Sequence, residues 1–326
     1  MSHVGALVQL AIDRLNCRQK ELAMRLGVSP AQISKWKKGE YMSMEMETKL
    51  RGLAELEASD PEFVLWAGSR EDAKKWERLL RFLAGLAVDA SETGYSTPLL
   101  EEEEQEGLLF FYTFDALNQM GVKISKPFPE ELDFDYDDID DPHYEERVEQ
   151  LTERHPISSL INATYRALAN VYGFYSAYVS KFVLDDNLDL GFSAGDIECC
   201  LLKLAATKLE ALPAVATTYA DFKRQVEQDY VRWLKLIKEK AFRAGMPLRA
   251  ELLELVYLDD DALGQEADKK REGFNDQRLH PDVYMNELLR GMRLMHQVLP
   301  AVIKKLGISQ DELNLDMSDL YIGQRE

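Results

Sequence analysis

The stretch Gln19 to Gly39, QKELAMRLGVSPAQISKWKKG, leaves the chain few ways to fold around it. A short helical run with Leu22 and Ala23 on its apolar side stops at Gly27, where a residue without a Cβ can turn the backbone at positive φ. Ser29 then restarts the helix. Serine caps, Pro30 takes the first helical position where no N–H is missed, and Gln32 stands where it can reach back to the cap. Ile33 and Trp36 form the apolar face of this segment, and Gly39 ends it. Upstream, Val4, Leu7, Val8, Ala11, Ile12 and Leu15 recur at helical spacing until Asn16 and Cys17 interrupt them; downstream, Met46, Leu50, Leu53 and Leu56 supply a fourth helix that closes a small core. Two short helices joined by a tight turn, the second of them basic, form the geometry that lays a helix into the major groove of DNA.

The same stretch resembles the helix-turn-helix of the Cro/CI repressor family, also called the XRE family, matching it at Gln19, Leu22, Ala23, Gly27, Val28, Ser29, Ile33, Ser34, Trp36 and Gly39. The resemblance covers only about the first 56 residues. It implies that Gln19 touches a phosphate and braces the third helix, that Ser29 and Pro30 open that helix at the groove, and that Ala31, Gln32 and Lys35 face base edges. Arg18 and Ser34 complete the DNA-facing set. Chemically Lys35 is the best reader, because an ammonium can donate to guanine O6 and N7, whereas Ala31 offers only an apolar contact, for example to a thymine methyl. Lys37, Lys38 and Tyr41, around the Gly39 turn, suit the phosphate backbone, which positions a protein without specifying sequence. The family often pairs an acidic residue at the Lys37 position with an arginine at the position of Ile12; both partners are replaced here, which leaves no orphan charge.

Net charge at first argues against a nucleic-acid partner. The 326 residues hold 39 Lys plus Arg and 58 Asp plus Glu, a formal charge of −19. The distribution reverses the inference: residues 1–56 hold 9 basic and 6 acidic side chains, and residues 57–326 hold 30 and 52. A cationic head is attached to a strongly anionic body. Only the head has to approach phosphate.

Capped amphipathic segments recur through the body. Ser69 with Asp72 opens a helix to about Ala90, Thr97-Pro98 one to about Met120, Ser193 with Asp196 one to Leu212, and Ser309 with Glu312 a short last one. Apolar stripes run through Ile157, Ile161, Thr164, Leu168, Val171, Tyr175 and Phe182; through Phe222, Val226, Trp233 and Ile237; and through Val283, Met292, Met295, Leu299, Val302 and Leu306. With no strand signal and Gly plus Pro below average usage, the expected fold class is all-α. The expected organisation is a helix-turn-helix domain over 1–58, a helical connection over 59–126, an acidic loop over 127–146 and a helical dimerisation or effector domain over 147–326.

Several features invite chemistry without selecting it. Tyr165, Tyr172, Phe174, Tyr175 and Tyr178 can be core or can line a pocket or seam. Asp133, Asp135 and Asp137 alternate like the first ligands of a calcium loop, but Asp138 stands where the sharp-turn glycine belongs and Tyr144 where the bidentate glutamate belongs. Asp141, His143 and Glu146 are a weak divalent-metal candidate beside the plainer readings of an acidic linker or a loop that binds a basic surface, such as the cationic head itself. Leu306-Gly307-Ile308-Ser309 copies Leu26-Gly27-Val28-Ser29 as a generic junction between helices. Cys17, Cys199 and Cys200 show neither a disulfide framework nor zinc spacing, and no P-loop, HExxH, GxSxG or dinucleotide fingerprint occurs. The expectation is a non-enzymatic protein without cofactor or metal. The N-terminus does not read as a signal peptide, and the uncharged run from Ala167 to Ser180 is too short to span a bilayer, so a cytoplasmic location is expected.

The reading is therefore a sequence-specific, repressor-like DNA-binding regulator. Its third helix reads double-stranded operator DNA, and its acidic body dimerises and senses a ligand or recruits a protein partner. Two other readings stay open: an antitoxin or adaptor whose DNA binding is only autoregulatory, and a defence-system effector.

Overall fold

The computed structural model describes residues 2–56, 59–180, 197–210, 214–244, 251–273 and 281–307, and every regular element among them is a helix. The first four are α1 (His3–Arg14), α2 (Gln19–Leu26), α3 (Pro30–Lys37) and α4 (Met44–Leu53). Ser2 caps α1 and Ser43 caps α4 through their hydroxyls. α1 lies against both α3 and α4, and Leu7, Val8, Ala11, Leu22, Ala23, Ile33, Trp36 and Leu50 form the buried centre of the head.

A short bridge follows. In α5 (Pro61–Ala67), Asp60 caps by accepting the N–H groups of Glu62 and Phe63 at 2.8 and 3.0 Å, and Pro61 takes the first position. α5 packs against α1 on the head and against α6 (Arg70–Asp89) and α8 (Glu106–Gln119) in the body. Asp60 also stands 3.3 Å from Nδ1 of His3, whose Nε2 lies 3.2 Å from Glu47, so α1, α4 and the bridge share one polar clasp. The buried apolar residues of head and body consequently form one continuous cluster.

The body is built around α10 (Pro156–Phe174), which follows the short α9 (Tyr144–Glu149) and continues through a π turn at Tyr175–Val179. It packs on α6, on α11 (Ile197–Ala206) and on α14 (Asp260–Arg271). Gly173 lets the helix approach Thr93, whose Cβ would sit 3.0 Å from any added Cβ. The tyrosines of this region are core: Tyr165, Tyr175 and Tyr178 are buried with Phe174, and Tyr165 and Thr113 share a 2.7 Å hydrogen bond between their hydroxyls. In α12 (Tyr219–Ala244) the expected stripe is also buried, at Phe222, Val226 and Ile237, with Tyr230 and Leu234 added to it.

Three expectations are corrected. The single helix from Thr97 to Met120 is broken into α7 (Pro98–Glu101), a 3-10 turn at Glu103–Gln105, and α8, because Glu102 is extended (ψ 123°). Five of the residues from 101 to 106 are glutamates, and a helix there would stack like charges at i,i+3 and i,i+4. The acidic segment 127–146 is not a free linker. Phe128, Leu132, Phe134 and Tyr136 are buried, and Asp133 pairs with Lys75 and with Arg78, the latter at 2.8 Å, so the head of the run is neutralised by α6 and not by the lysines of α3. Third, the apolar stripe of the helix Pro281–Leu306 is not buried among the described residues, with Met292, Met295, Leu299, Val302 and Leu306 all exposed.

The helix start at Ser193 and Asp196, the last helix from Ser309 to Glu312, Phe182, and the side chains of Val283 and Cys199 lie outside the described residues, whereas Cys200 is half-buried. Gly307 adopts φ 68° after the helix Pro281–Leu306, as Gly27 does (φ 69°) after α2.

A buried histidine makes the body sensitive to acid. His155 caps α10: its Nδ1 accepts the N–H of Ser158 at 3.2 Å, which only the uncharged ring can do, and the residue is 8% exposed. Burial pushes its pKa below 6.5, with Glu131 at 3.9 Å from Nε2 pulling the other way. The unfolded chain takes up this proton first, so stability present above pH 6.5 is lost as pH falls through the folded value. His155→Asn keeps a capping oxygen that does not titrate, and the drop in Tm on the acid side of pH 6.5 should be shallower in this variant than in the parent chain.

Candidate nucleic-acid interface

The geometry of α2 and α3 follows from their punctuation. Gly27 adopts φ 69°, ψ 29°, which places the N–H of Val28 on the carbonyl of Ala23 at 3.0 Å and reverses the chain direction. Two residues on, the hydroxyl of Ser29 accepts the N–H of Gln32 at 3.2 Å and Pro30 opens α3. The Glu21 carboxylate accepts the N–H of Arg18 at 2.8 Å, which satisfies an orphan donor at the start of α2.

Gln19 ties the two helices together. Its Nε2 donates to Ser34 Oγ at 2.6 Å and to the Pro30 carbonyl at 3.2 Å, so the first residue of α2 holds the first turns of α3. Trp36 is inserted beneath α3, and its indole N–H donates to the Tyr41 carbonyl at 3.1 Å, which fixes the chain after Gly39. This leaves α3 as a rigid rod with one face in the core and the other free. On the free side Arg18, Ser29, Pro30, Ala31, Ser34, Lys35, Lys38 and Tyr41 are exposed, Tyr41 at 86%, while Gln19 and Gln32 are half-buried.

Two of the lysines have partners that spacing alone did not reveal. Lys37 is half-buried and turns back to α1, where its ammonium donates to Gln9 Oε1 at 2.8 Å. That contact stands where the related family has an ion pair, with Gln9 in place of the Ile12 position as the partner on α1. Lys35 lies 3.5 Å from Glu40, with both side chains more than half exposed, so this loose pair can open toward another anion. Glu40 follows the Gly39 stop, and its approach to Lys35 depends on the turn that Trp36 fixes.

The body holds a second concave feature. A cleft of about 870 Å³ between α6, α10 and α14 is lined in part by Arg166, Asn170, Lys208, Asp260 and Asp268. Lys208 donates to the carbonyls of Val256 and Leu258 at 2.9 and 2.7 Å, satisfying the end of α13 (Glu251–Tyr257), and burial together with nearby Lys223 pushes its pKa down to about 8. Burial also raises the Asp260 carboxyl above the usual range, with Asp261 and Asp259 adding to it. In the acidic segment the half-buried Asp141 sits 3.5 Å from Arg147, and the exposed His143 3.6 Å from Glu146. Among the described residues no group of three His, Cys, Asp or Glu side chains could hold a metal ion. No described helix is long and apolar enough to cross a membrane.

Residues 8–45 match the helix-turn-helix family model, a span that runs from within α1 into the first turn of α4 and contains α2, the Gly27 turn and α3 whole. No curated protein and no solved structure matches the chain. The N-terminal unit is thus a helix-turn-helix of the Cro/CI type, the DNA-binding element of XRE-type transcription regulators.

Proposed function

We propose, from the premise that its head is an XRE-type helix-turn-helix, that this chain is a repressor-like regulator that works in the cytoplasm as a homodimer. In this reading α3 enters the major groove of an operator and the acidic body senses a ligand or recruits a partner. No enzymatic step is assigned. The observation that carries the reading is the bracing of α3 by Gln19 while Ala31, Lys35 and Lys38 on its outer side remain in solvent. A helix held this firmly can present side chains to base edges without first having to be ordered. Two copies are needed because one such module buries a small interface, and two half-sites about one helical turn apart multiply its specificity.

The roles of the individual residues follow from where each points. Lys35 reads a base, displacing Glu40 as it does so. Gln32 and Ala31 line the same groove-facing side, with Ser29, Pro30 and Ser34 at the near edge. Gln19, Arg18, Lys38 and Tyr41 contact phosphates and set the register. Lys37, held by Gln9, stiffens the junction of α1 with α3 and contributes least to phosphate binding.

Lys35→Ala should cost about 1–3 kcal/mol at one base position and relax preference there, whereas Lys38→Ala should weaken all sequences alike and flatten the salt dependence by about one counterion. Mobility shifts on a set of operator point variants at several salt concentrations separate the two effects. An unchanged operator preference for Lys35→Ala would remove that lysine from the reading. A second reading, an adaptor or antitoxin whose DNA binding only regulates its own synthesis, draws on the charge of the body, 52 acidic against 30 basic side chains from residue 57 on, which suits a basic protein partner. Co-purification of a stoichiometric basic protein with the full chain would favour it.

A further inference from the structure

The last described helix, α15 (Pro281–Leu306), exposes a row of large apolar side chains. Leu288, Met292, Met295, Leu299, Val302 and Leu306 follow one another in alternate steps of four and three residues, the a and d positions of a coiled-coil seam. They are 41–67% exposed. The comparable stripes of α6 and α12 are buried, so the pattern on α15 is built for contact and is left without one among the described residues.

We propose that this face pairs with the same face of a second copy of the chain and is the dimer seam. The proposal rests on the homodimer reading above and supplies its location. Three observations favour a second copy over an unrelated partner. The first is symmetry. The stripe is palindromic about Gln297, so in an antiparallel pair Leu288 meets Leu306, Met292 meets Val302 and Met295 meets Leu299, with every layer filled on both sides of a two-fold axis. Antiparallel alignment also sets opposite ends of the two helix dipoles side by side.

The second is charge. Positions flanking the seam are Leu289, Gly291, His296, Val298 and Ile303, and the first fixed charge beside it is Lys305 near the helix end, so like charges do not oppose self-pairing. Arg293 and Lys304 fall on the outer side, as does Pro300, so the N–H that the proline lacks is missing from the face away from the contact. The third is size. The six seam residues with Leu289 and Val298, each with about half its surface in water, offer on the order of 800 Å² per copy, which is about what a standard interface buries on each partner.

Sedimentation of the full chain over a dilution series tests the seam. The parent chain should run at twice its 37.3 kDa mass, and the Met295→Glu/Leu299→Glu double variant at the single mass with unchanged far-UV circular dichroism. Leu294→Glu changes an equally apolar and exposed residue off the stripe and should leave the dimer intact. A parent chain that is monomeric throughout, or a double variant that remains dimeric, would overturn the proposal. So would a double variant that loses thermal stability with no change in mass, which would mean that the face packs on its own chain. Mobility shifts on the same samples keep the two readings apart: a dimer that binds no DNA retains the seam and removes the regulator, and a monomeric parent that still shifts an operator does the reverse.

Discussion

Trp76→Ala is expected to destabilise the fold by about 3–5 kcal/mol, the upper range for truncating a buried side chain. Trp76 is fully buried on α6, with edge-to-face contacts to Phe114 on α8 at 5.4 Å and to Phe128 at 4.9 Å, so its removal opens a cavity where α6, α8 and the pinned acidic segment meet. The indole also carries a cost. Its N–H is buried with no hydrogen-bond partner among the described residues, and an unmet donor of this kind costs about 1–3 kcal/mol. Trp76→Phe removes that donor along with part of the ring, and the two effects oppose each other. It should therefore lie within about 1–2 kcal/mol of the parent chain, far from the alanine variant. Chemical denaturation of the three proteins measures the order directly. If phenylalanine is as damaging as alanine, the orphan donor contributes nothing and shape alone decides.

The second large effect is expected at the bridge. Phe63 is the more deeply buried of two aromatic residues through which α5 holds the body: its ring lies 4.7 Å from Phe114 and 5.8 Å from Phe110, while the half-buried Trp66 stands 5.6 Å from Phe111. Phe63→Ala should cost about 3–5 kcal/mol by the same cavity reasoning, but the loss is localised where head and body meet. Two unfolding transitions should then replace one, with the head's tryptophan, Trp36, reporting one of them and protease cutting between α4 and α6 in the interval. A single transition shifted to lower temperature would mean that the other contacts of α5 with α6 and α8, Trp66 on Phe111 among them, couple head and body without Phe63.

The head was legible from sequence because its information is local. Gly27 at positive φ, the Ser29-Pro30 start and the Ile33 and Trp36 face each fix a backbone choice within a few residues of themselves. The partners of its lysines were not legible, because Lys37 meets Gln9 across 28 positions of chain and Lys35 meets Glu40 only once Trp36 has set the turn. In the acidic segment a signal was present and of a different period. Leu132, Phe134 and Tyr136 alternate with Asp133, Asp135 and Asp137, an extended pattern with one buried face that helical periodicity does not contain. On α15 the stripe itself could be read, but a stripe states only that a helix wants a partner and not which one.

Because α5 has one side on α1 and another on α6 and α8, packed helices lead without interruption from the helix-turn-helix to the body among the described residues. A ligand in the cleft beside α6, or a partner on the body, that favours one arrangement of these helices would tilt α1 and with it α3. Thermodynamic linkage then requires DNA to change that ligand's affinity by the same factor by which the ligand changes affinity for DNA. The reciprocal effect can be measured from either end, so an effector could be detected by its tighter or weaker binding in the presence of operator even before any change in transcription is observed.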